Sequence, residues 1–105
     1  MANIGSFKKV GNDFQGEIVT LSLKAKGVRI VAEPNRASEN APSHRVYVGR
    51  AEIGAAWSKR SEEGRDYLSL KLDDPSFNAP IYANLFADED GEGHTLLWSR
   101  PRKAD

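Results

Sequence analysis

A chain of 105 residues without cysteine has the length of one folded domain, and it cannot form disulfides, a thiolate metal cluster or a cysteine nucleophile. Its 15 Lys and Arg balance 15 Asp and Glu, which argues against a uniformly basic nucleic-acid-binding protein. The first 14 residues lack the apolar core of a signal peptide, and no apolar run is long enough to span a bilayer. We therefore expect a single domain over residues 1–105, located in the cytoplasm.

The zero net charge conceals an asymmetry along the chain. Residues 1–60 contain 10 Lys and Arg against 5 Asp and Glu, whereas residues 61–105 contain 5 against 10. The two halves therefore carry +5 and −5. Whether they form separate faces or interleave depends on the fold, and the sequence leaves both arrangements open.

Apolar and polar residues alternate with a period of two in the N-terminal half, which predicts β-strands. The segment SFKKVGNDFQG predicts a hairpin that turns at residues 11–13. The segment GEIVTLSLKAK predicts one strand with Val19, Leu21 and Leu23 on the same face. The segment GVRIVA predicts another strand, with Val28 and Ile30 on one face.

The C-terminal half continues the pattern after a long polar loop at residues 33–44. The segments RVYVG, AEIGAAWSK, YLSLKL, IYANLFA and HTLLWSR each predict a strand, with polar loops at residues 58–66 and 87–93. The fold class that follows is all-β: a small antiparallel barrel or sandwich of about seven short strands.

The segment DEDGEG places Asp88, Asp90 and Glu92 at positions 1, 3 and 5 of a calcium loop, with Gly93 at position 6. Position 12 is Ser99, where calcium loops need a bidentate glutamate, and the flanking segments predict strands rather than helices. We interpret the segment as an acidic hairpin turn and predict no metal site.

The adjacent carboxylates Asp73 and Asp74 precede Pro75. Residues before proline avoid helical backbone angles, and aspartate readily accepts a hydrogen bond from a nearby main-chain amide. A turn therefore explains both side chains. A catalytic pair is disfavoured because neighbouring strand residues point to opposite faces.

No other motif indicates an enzyme or a cofactor. His44 and His94 each lack a second ligand at metal-binding spacing, and we expect two separate, solvated histidines. No serine lies in a nucleophile motif, and the glycines form no phosphate-binding loop. We predict no catalytic residue, no metal and no cofactor.

Aromatic residues near basic ones suggest nucleic-acid binding, because single-strand binders place stacking rings beside basic grooves. The alternative is that the aromatic rings fill the core of a small β-domain. A second functional hypothesis is a protein-interaction module that uses the acidic half or a strand edge. The predicted nucleic-acid-binding residues are Lys8, Lys9, Arg45, Tyr47, Arg50, Trp57, Lys59, Arg60, Tyr82 and Arg100.

The segment EIGAAWSKRSEEGRDYLSLKLDDPSFNAPIYANL, at residues 52–85, resembles a bacterial family known as domain of unknown function 736. The beginning IGSFKKVGNDFQGEIVTLSL and the end LLWSRPR are also similar to that family, so the resemblance spans nearly the whole chain. Asn78 stands where the family favours proline. The resemblance implies no catalytic residues. It implies an association with plasmids and other mobile elements, which would suit a DNA-handling accessory or a host-interaction protein.

Overall fold

The computed structural model describes residues 2–21, 23–34, 38, 40–89 and 91–99, and its regular structure is entirely β. The alternating segments form eight strands: β1 (Ala2–Val10), β2 (Asp13–Val19), β3 (Lys24–Ala32), β4 (His44–Val48), β5 (Ala51–Arg60), β6 (Asp66–Leu72), β7 (Ile81–Ala87) and β8 (Gly93–Trp98). No helix among the described residues is long and apolar enough to cross a membrane.

Each strand pairs antiparallel with the next, and β8 pairs with β1, so the sheet closes into an up-and-down barrel. The predicted all-β antiparallel barrel is confirmed, with eight strands where about seven were expected. Closure gives every described strand a hydrogen-bonded partner on both sides, which removes the exposed edges that open sheets must protect.

The barrel interior is apolar, because the inward positions of the strands carry aliphatic and aromatic side chains. The predicted alternation is confirmed in β6, where Leu68, Leu70 and Leu72 are buried. It is confirmed also in β7, where Ala83 and Leu85 are buried. The remaining buried apolar residues are Ile4, Phe7, Phe14, Ile18, Ala25, Val28, Ile30, Val46, Ile53, Ala56 and Leu96.

Glycines allow neighbouring strands to approach closely beside large interior side chains. Gly16 lies directly opposite Phe7, and a Cβ added to Gly16 would lie 2.9 Å from the Phe7 ring. Gly54 lies opposite Leu72 in the same way. Eight strands enclose a space that side chains just fill, so small residues must alternate with large ones around the barrel.

The prediction of one strand over GEIVTLSLKAK is wrong, because the chain reverses within it. The β2 strand ends at Val19, and the amide of Thr20 donates to the carbonyl oxygen of Leu23 at 2.7 Å. Ile18 is buried, whereas Leu21 is fully exposed at the tip of the turn. Apolar residues continue through the turn with a period of two, so the pattern does not reveal where the strand stops.

The connections β1–β2, β3–β4, β5–β6 and β7–β8 all lie at one end of the barrel, which we call the mouth. The long loop predicted at residues 33–44 is the β3–β4 connection, and its last residue, His44, begins β4. The mouth contains a cavity of about 770 Å³. The other end, which we call the far end, carries the β2–β3, β4–β5 and β6–β7 connections.

Candidate functional site

Nine of the ten predicted nucleic-acid-binding residues are described, and the structure does not bring these nine onto one face. Lys8 and Lys9 are neighbours on β1, but they alternate in direction. Lys8 lies opposite Gln15 on the exterior, whereas Lys9 lies opposite the buried Phe14 and lines the mouth. The two lysines therefore belong to different surfaces.

Arg45 and Tyr47 lie on the exterior of β4, where both contact carboxylates. The Arg45 guanidinium forms ion pairs with Glu33 at 3.6 Å and with Glu52 at 3.7 Å. The Tyr47 hydroxyl donates to a carboxylate oxygen of Glu52 at 3.4 Å, and the Arg29 guanidinium lies 5.5 Å from its ring centroid. The Arg45 guanidinium is therefore already paired with two carboxylates.

The three predicted residues on β5 are also engaged or lie near the mouth. The indole Nε1 of Trp57 donates to the carbonyl oxygen of Asn40 at 3.0 Å, which ties the long β3–β4 loop to the barrel wall. Lys59 and Arg60 line the mouth, and Arg60 forms an ion pair with Asp66 at 3.2 Å. Trp57 therefore has a structural contact that its proximity to basic residues did not indicate.

The remaining predicted residues are dispersed further. Tyr82 is 52% exposed on the exterior of β7, and the Lys71 ammonium lies 6.0 Å from its ring centroid. Arg50 lies in the β4–β5 turn at the far end. Arg100 lies outside the described residues. Neither Tyr82 nor Arg50 lines the cavity that Lys59 and Arg60 share.

A different group of cations lies together on the exterior of β1 and β3. Lys8 on β1 lies opposite Gln15 on β2, and Gln15 lies opposite Arg29 on β3. Lys24 and Lys26 are exposed on β3 before Arg29. We call Lys8, Lys24, Lys26 and Arg29 the exterior basic strip. The alternation in KAKGVR could have indicated the β3 members, but only the pairing of β2 with both β1 and β3 places them on the same wall as Lys8.

In the acidic half, residues 61–105, most of the described carboxylates lie in loops rather than on one face of a strand. Glu62 and Glu63 lie in the β5–β6 connection, and Asp88 and Glu89 lie in the β7–β8 connection. Both connections are at the mouth, so the described chain carries an acidic rim there. The two charge halves are not separated at the mouth, because Lys9, Lys59 and Arg60 of the basic half also lie there.

The acidic turns show local hydrogen bonding. The Asp74 carboxylate accepts hydrogen bonds from the Ser76 amide at 2.9 Å and from the Ser76 hydroxyl at 2.6 Å, which confirms the predicted turn. These hydrogen bonds lower the pKa of Asp74. The Asp88 carboxylate accepts from the Thr95 hydroxyl at 2.6 Å.

The two histidines, expected to be separate and solvated, come together at the mouth. His44 lies opposite Ala32, and His94 lies opposite Phe7. Both imidazoles flank the Phe14 ring, with centroid distances of 6.0 Å for His44 and 4.8 Å for His94. Barrel closure, which joins β8 to β1, brings them within one ring of each other, and both are partly buried. That expectation was therefore wrong.

Both histidines have lowered pKa values, because partial burial disfavours the charged imidazolium. A hydrogen bond to the Asn12 backbone and the Asp13 carboxylate act in the opposite direction on the pKa of His44. Asp88 also opposes the lowered pKa of His94, whereas Lys9 lowers it further. The lowered pKa of each imidazole therefore favours its neutral form near pH 7.

Among the described residues, no group of three or more His, Asp and Glu side chains could hold a metal ion. Asp90, the central acid of the calcium-like segment, lies outside the described residues. Asp88 binds Thr95 within its own hairpin. The described chemistry of the mouth is therefore that of two neutral imidazoles, an aromatic ring, several cations and an ion pair.

We expect the melting temperature to fall as the pH decreases from about 7.5 to about 5.5. The unfolded histidines take up protons near their usual pKa, whereas the folded ones resist protonation, so the unfolded state binds more protons in this range. Thermal unfolding followed by circular dichroism at several pH values measures the effect. Substituting His44→Gln or His94→Gln should flatten the profile, and an unchanged slope in both variants would assign the pH dependence to other groups.

An eight-stranded meander that closes on itself is an up-and-down barrel, and here its mouth is partly open and polar. The chain belongs to the family described as Protein of unknown function (DUF736), whose pattern matches residues 3–101. That match confirms the family resemblance found in the sequence and covers nearly all of the barrel. No curated protein and no solved structure in the comparisons matches the chain.

Proposed function

We propose that the chain is a non-enzymatic binding protein of the bacterial cytoplasm, associated with mobile DNA, that contacts nucleic acid through the exterior basic strip. The observation that carries the proposal is the placement of Lys8, Lys24, Lys26 and Arg29 at exterior positions of one barrel wall, on the two strands that flank β2. Phosphate contacts by Lys and Arg provide most of the sequence-independent affinity for nucleic acid.

The charge balance of this wall favours an anionic partner. Among the described residues, no carboxylate forms an ion pair with any of the four cations of the strip. The described parts of β1, β2 and β3 contain two acids: Glu17, and Asp13, whose carboxylate accepts a hydrogen bond from the Ala32 amide. The strip therefore keeps a surplus of positive charge that phosphates can neutralise.

The strip also reaches a ring on which an unpaired base could stack. Tyr47 lies directly opposite Arg29 on the adjacent strand, and the guanidinium packs against the ring. Planar groups of this kind stack bases without sequence preference. Two strand spacings, about 10 Å, separate Lys8 from Arg29. This arrangement supports single-stranded nucleic acid as the ligand.

The test is a fluorescence anisotropy titration of labelled single-stranded and double-stranded oligonucleotides at about 50 and 200 mM salt. We expect the triple variant Lys8→Gln, Lys26→Gln, Arg29→Gln to bind more weakly than the original chain. With three fewer phosphate contacts to a single strand, the slope of log affinity against log salt should become shallower by about 2.

The matched control is Lys59→Gln with Arg60→Gln, which removes two cations at the mouth and leaves the strip intact. It should keep the slope of the original chain. An unchanged slope in the triple variant, or an equal effect of the control, would remove the strip from the interface.

A protein partner is the second candidate, and the acidic rim of the mouth favours it. Glu62, Glu63, Asp88 and Glu89 extend from two neighbouring hairpins and could face a basic protein surface. The strand-edge form of this hypothesis has little support, because each described strand already has two partners. Failure of every oligonucleotide to bind at low salt would favour the acidic rim.

A further inference from the structure

We propose that the mouth cavity binds a small organic anion with an aromatic body, such as an aromatic carboxylate. The cavity, of about 770 Å³, lies within the range of small-molecule sites. Eight-stranded barrels are wide enough to hold one small ligand where their side chains leave space. The site is separate from the exterior basic strip, so the two proposals can fail independently.

The floor of the cavity is apolar and suits an aromatic body. Leu68, Leu85 and Phe14 line it, and each is at least 92% buried. Below them the core is closed by fully buried side chains such as Ile30 and Val46. A ring entering the mouth would therefore contact carbon surface without displacing the core, and its burial would be favourable.

The wall of the cavity has a surplus of positive charge. Lys9, Lys59 and Arg60 line it, and Asp66 is the one carboxylate among its lining residues. Asp66 is engaged with Arg60, and no described carboxylate forms an ion pair with Lys9 or Lys59. The acids of the rim loops do not line the cavity. An anionic group that enters the cavity would therefore meet Lys9, which lies at an inward position opposite Phe14, without an acidic partner.

The histidines add donors without adding charge. The Nδ1 atom of His94 is buried and has no hydrogen-bond partner among the described residues, so a proton there would be an unsatisfied donor. The proton is therefore favoured on Nε2, at the opposite side of the ring. His44 is held through its Nδ1, which lies 2.9 Å from the Ser43 hydroxyl. His94 thus provides a neutral N–H donor in a cavity that already carries ammonium groups.

The experiment is a calorimetric titration of the full chain with 2-naphthoate, with 2-naphthalenemethanol as the neutral analogue and acetate as the anion without a ring. We expect 2-naphthoate to bind with one-to-one stoichiometry and about tenfold more tightly than the alcohol, and acetate to show no binding at about 5 mM. Amide shifts in an NMR titration should be centred on Lys9, Phe14 and His94.

The variant Lys9→Gln should weaken 2-naphthoate binding about fivefold and leave binding of the alcohol unchanged. Lys26→Gln is the matched control, because it removes an exposed lysine of β3 away from the cavity, and it should bind as the original chain does. The proposal is overturned if 2-naphthoate does not bind, if the alcohol binds equally well, or if both variants weaken binding alike.

Discussion

Replacing Leu70 with alanine should lower the free energy of unfolding by about 2–5 kcal/mol. Leu70 is 1% exposed in the middle of β6, and its neighbours across the two adjacent strands are Ala56 and Ala83. Truncation would place three alanines side by side on the inner wall. Because short side chains cannot extend into the vacated space, the cavity would persist and the cost should lie in the upper part of that range.

Equilibrium urea unfolding followed by tryptophan fluorescence would measure this loss. Leu21→Ala is the matched control, since Leu21 has the same side chain but is fully exposed in the β2–β3 turn. Its effect should stay within about 0.5 kcal/mol. A loss below about 1 kcal/mol for Leu70→Ala would mean that the barrel wall relaxes around the gap.

The strands on the C-terminal side were predictable because their alternation has a single physical cause. In β6 and β7 one face of each strand is buried, so Leu68, Leu70 and Leu85 fall on one side and Tyr82 on the other. The β2–β3 region was not predictable in this way. Val19, Leu21 and Leu23 are apolar and alternate, yet a turn separates them and solvent covers Leu21.

The grouping of side chains at the mouth depends on contacts that no local pattern encodes. Lys9 and His94 are 85 positions apart in the sequence and meet because β1 pairs with β8. His44 belongs to the same group because its imidazole packs near the ring of Phe14 on β2. The two histidines are 50 positions apart, and no ligand or motif spacing in the sequence relates them. Strand pairing across the barrel, rather than residue type, was the missing information.

The same dependence explains why the predicted nucleic-acid-binding residues are dispersed. They were selected by closeness in sequence between a ring and a cation, as in Tyr47 with Arg45 and Trp57 with Lys59. Residues two positions apart share one face of a strand, but each of these pairs lies on a different strand, and a continuous surface is formed by residues that the register places side by side on adjacent strands. Arg29 packs against Tyr47 for this reason, although 18 positions separate them. The members of the exterior basic strip are therefore set by the register in which neighbouring strands pair.

Replacing Gly54 with alanine should destabilise the barrel by about 3 kcal/mol, although only one methyl group is added. The new Cβ would lie 2.3 Å from the main-chain oxygen of Lys71 and 3.0 Å from the Cα of Leu72. Main-chain atoms on β6 cannot move away without disturbing the hydrogen bonds between β5 and β6, so the clash strains both strands. Shortening the Leu72 side chain in a double variant should not restore stability.

Gly27→Ala is the control that separates this steric cost from the ordinary cost of replacing glycine. Gly27 has a φ of 68°, and no other atom would lie within 4 Å of its added Cβ, so only backbone strain opposes the substitution. That strain costs about 1–2 kcal/mol. Urea unfolding of both variants should therefore show the larger loss at Gly54, where the backbone angle is ordinary and the space is missing. If Gly27→Ala is the more damaging change, the close approach of β5 to β6 cannot be what requires glycine at position 54.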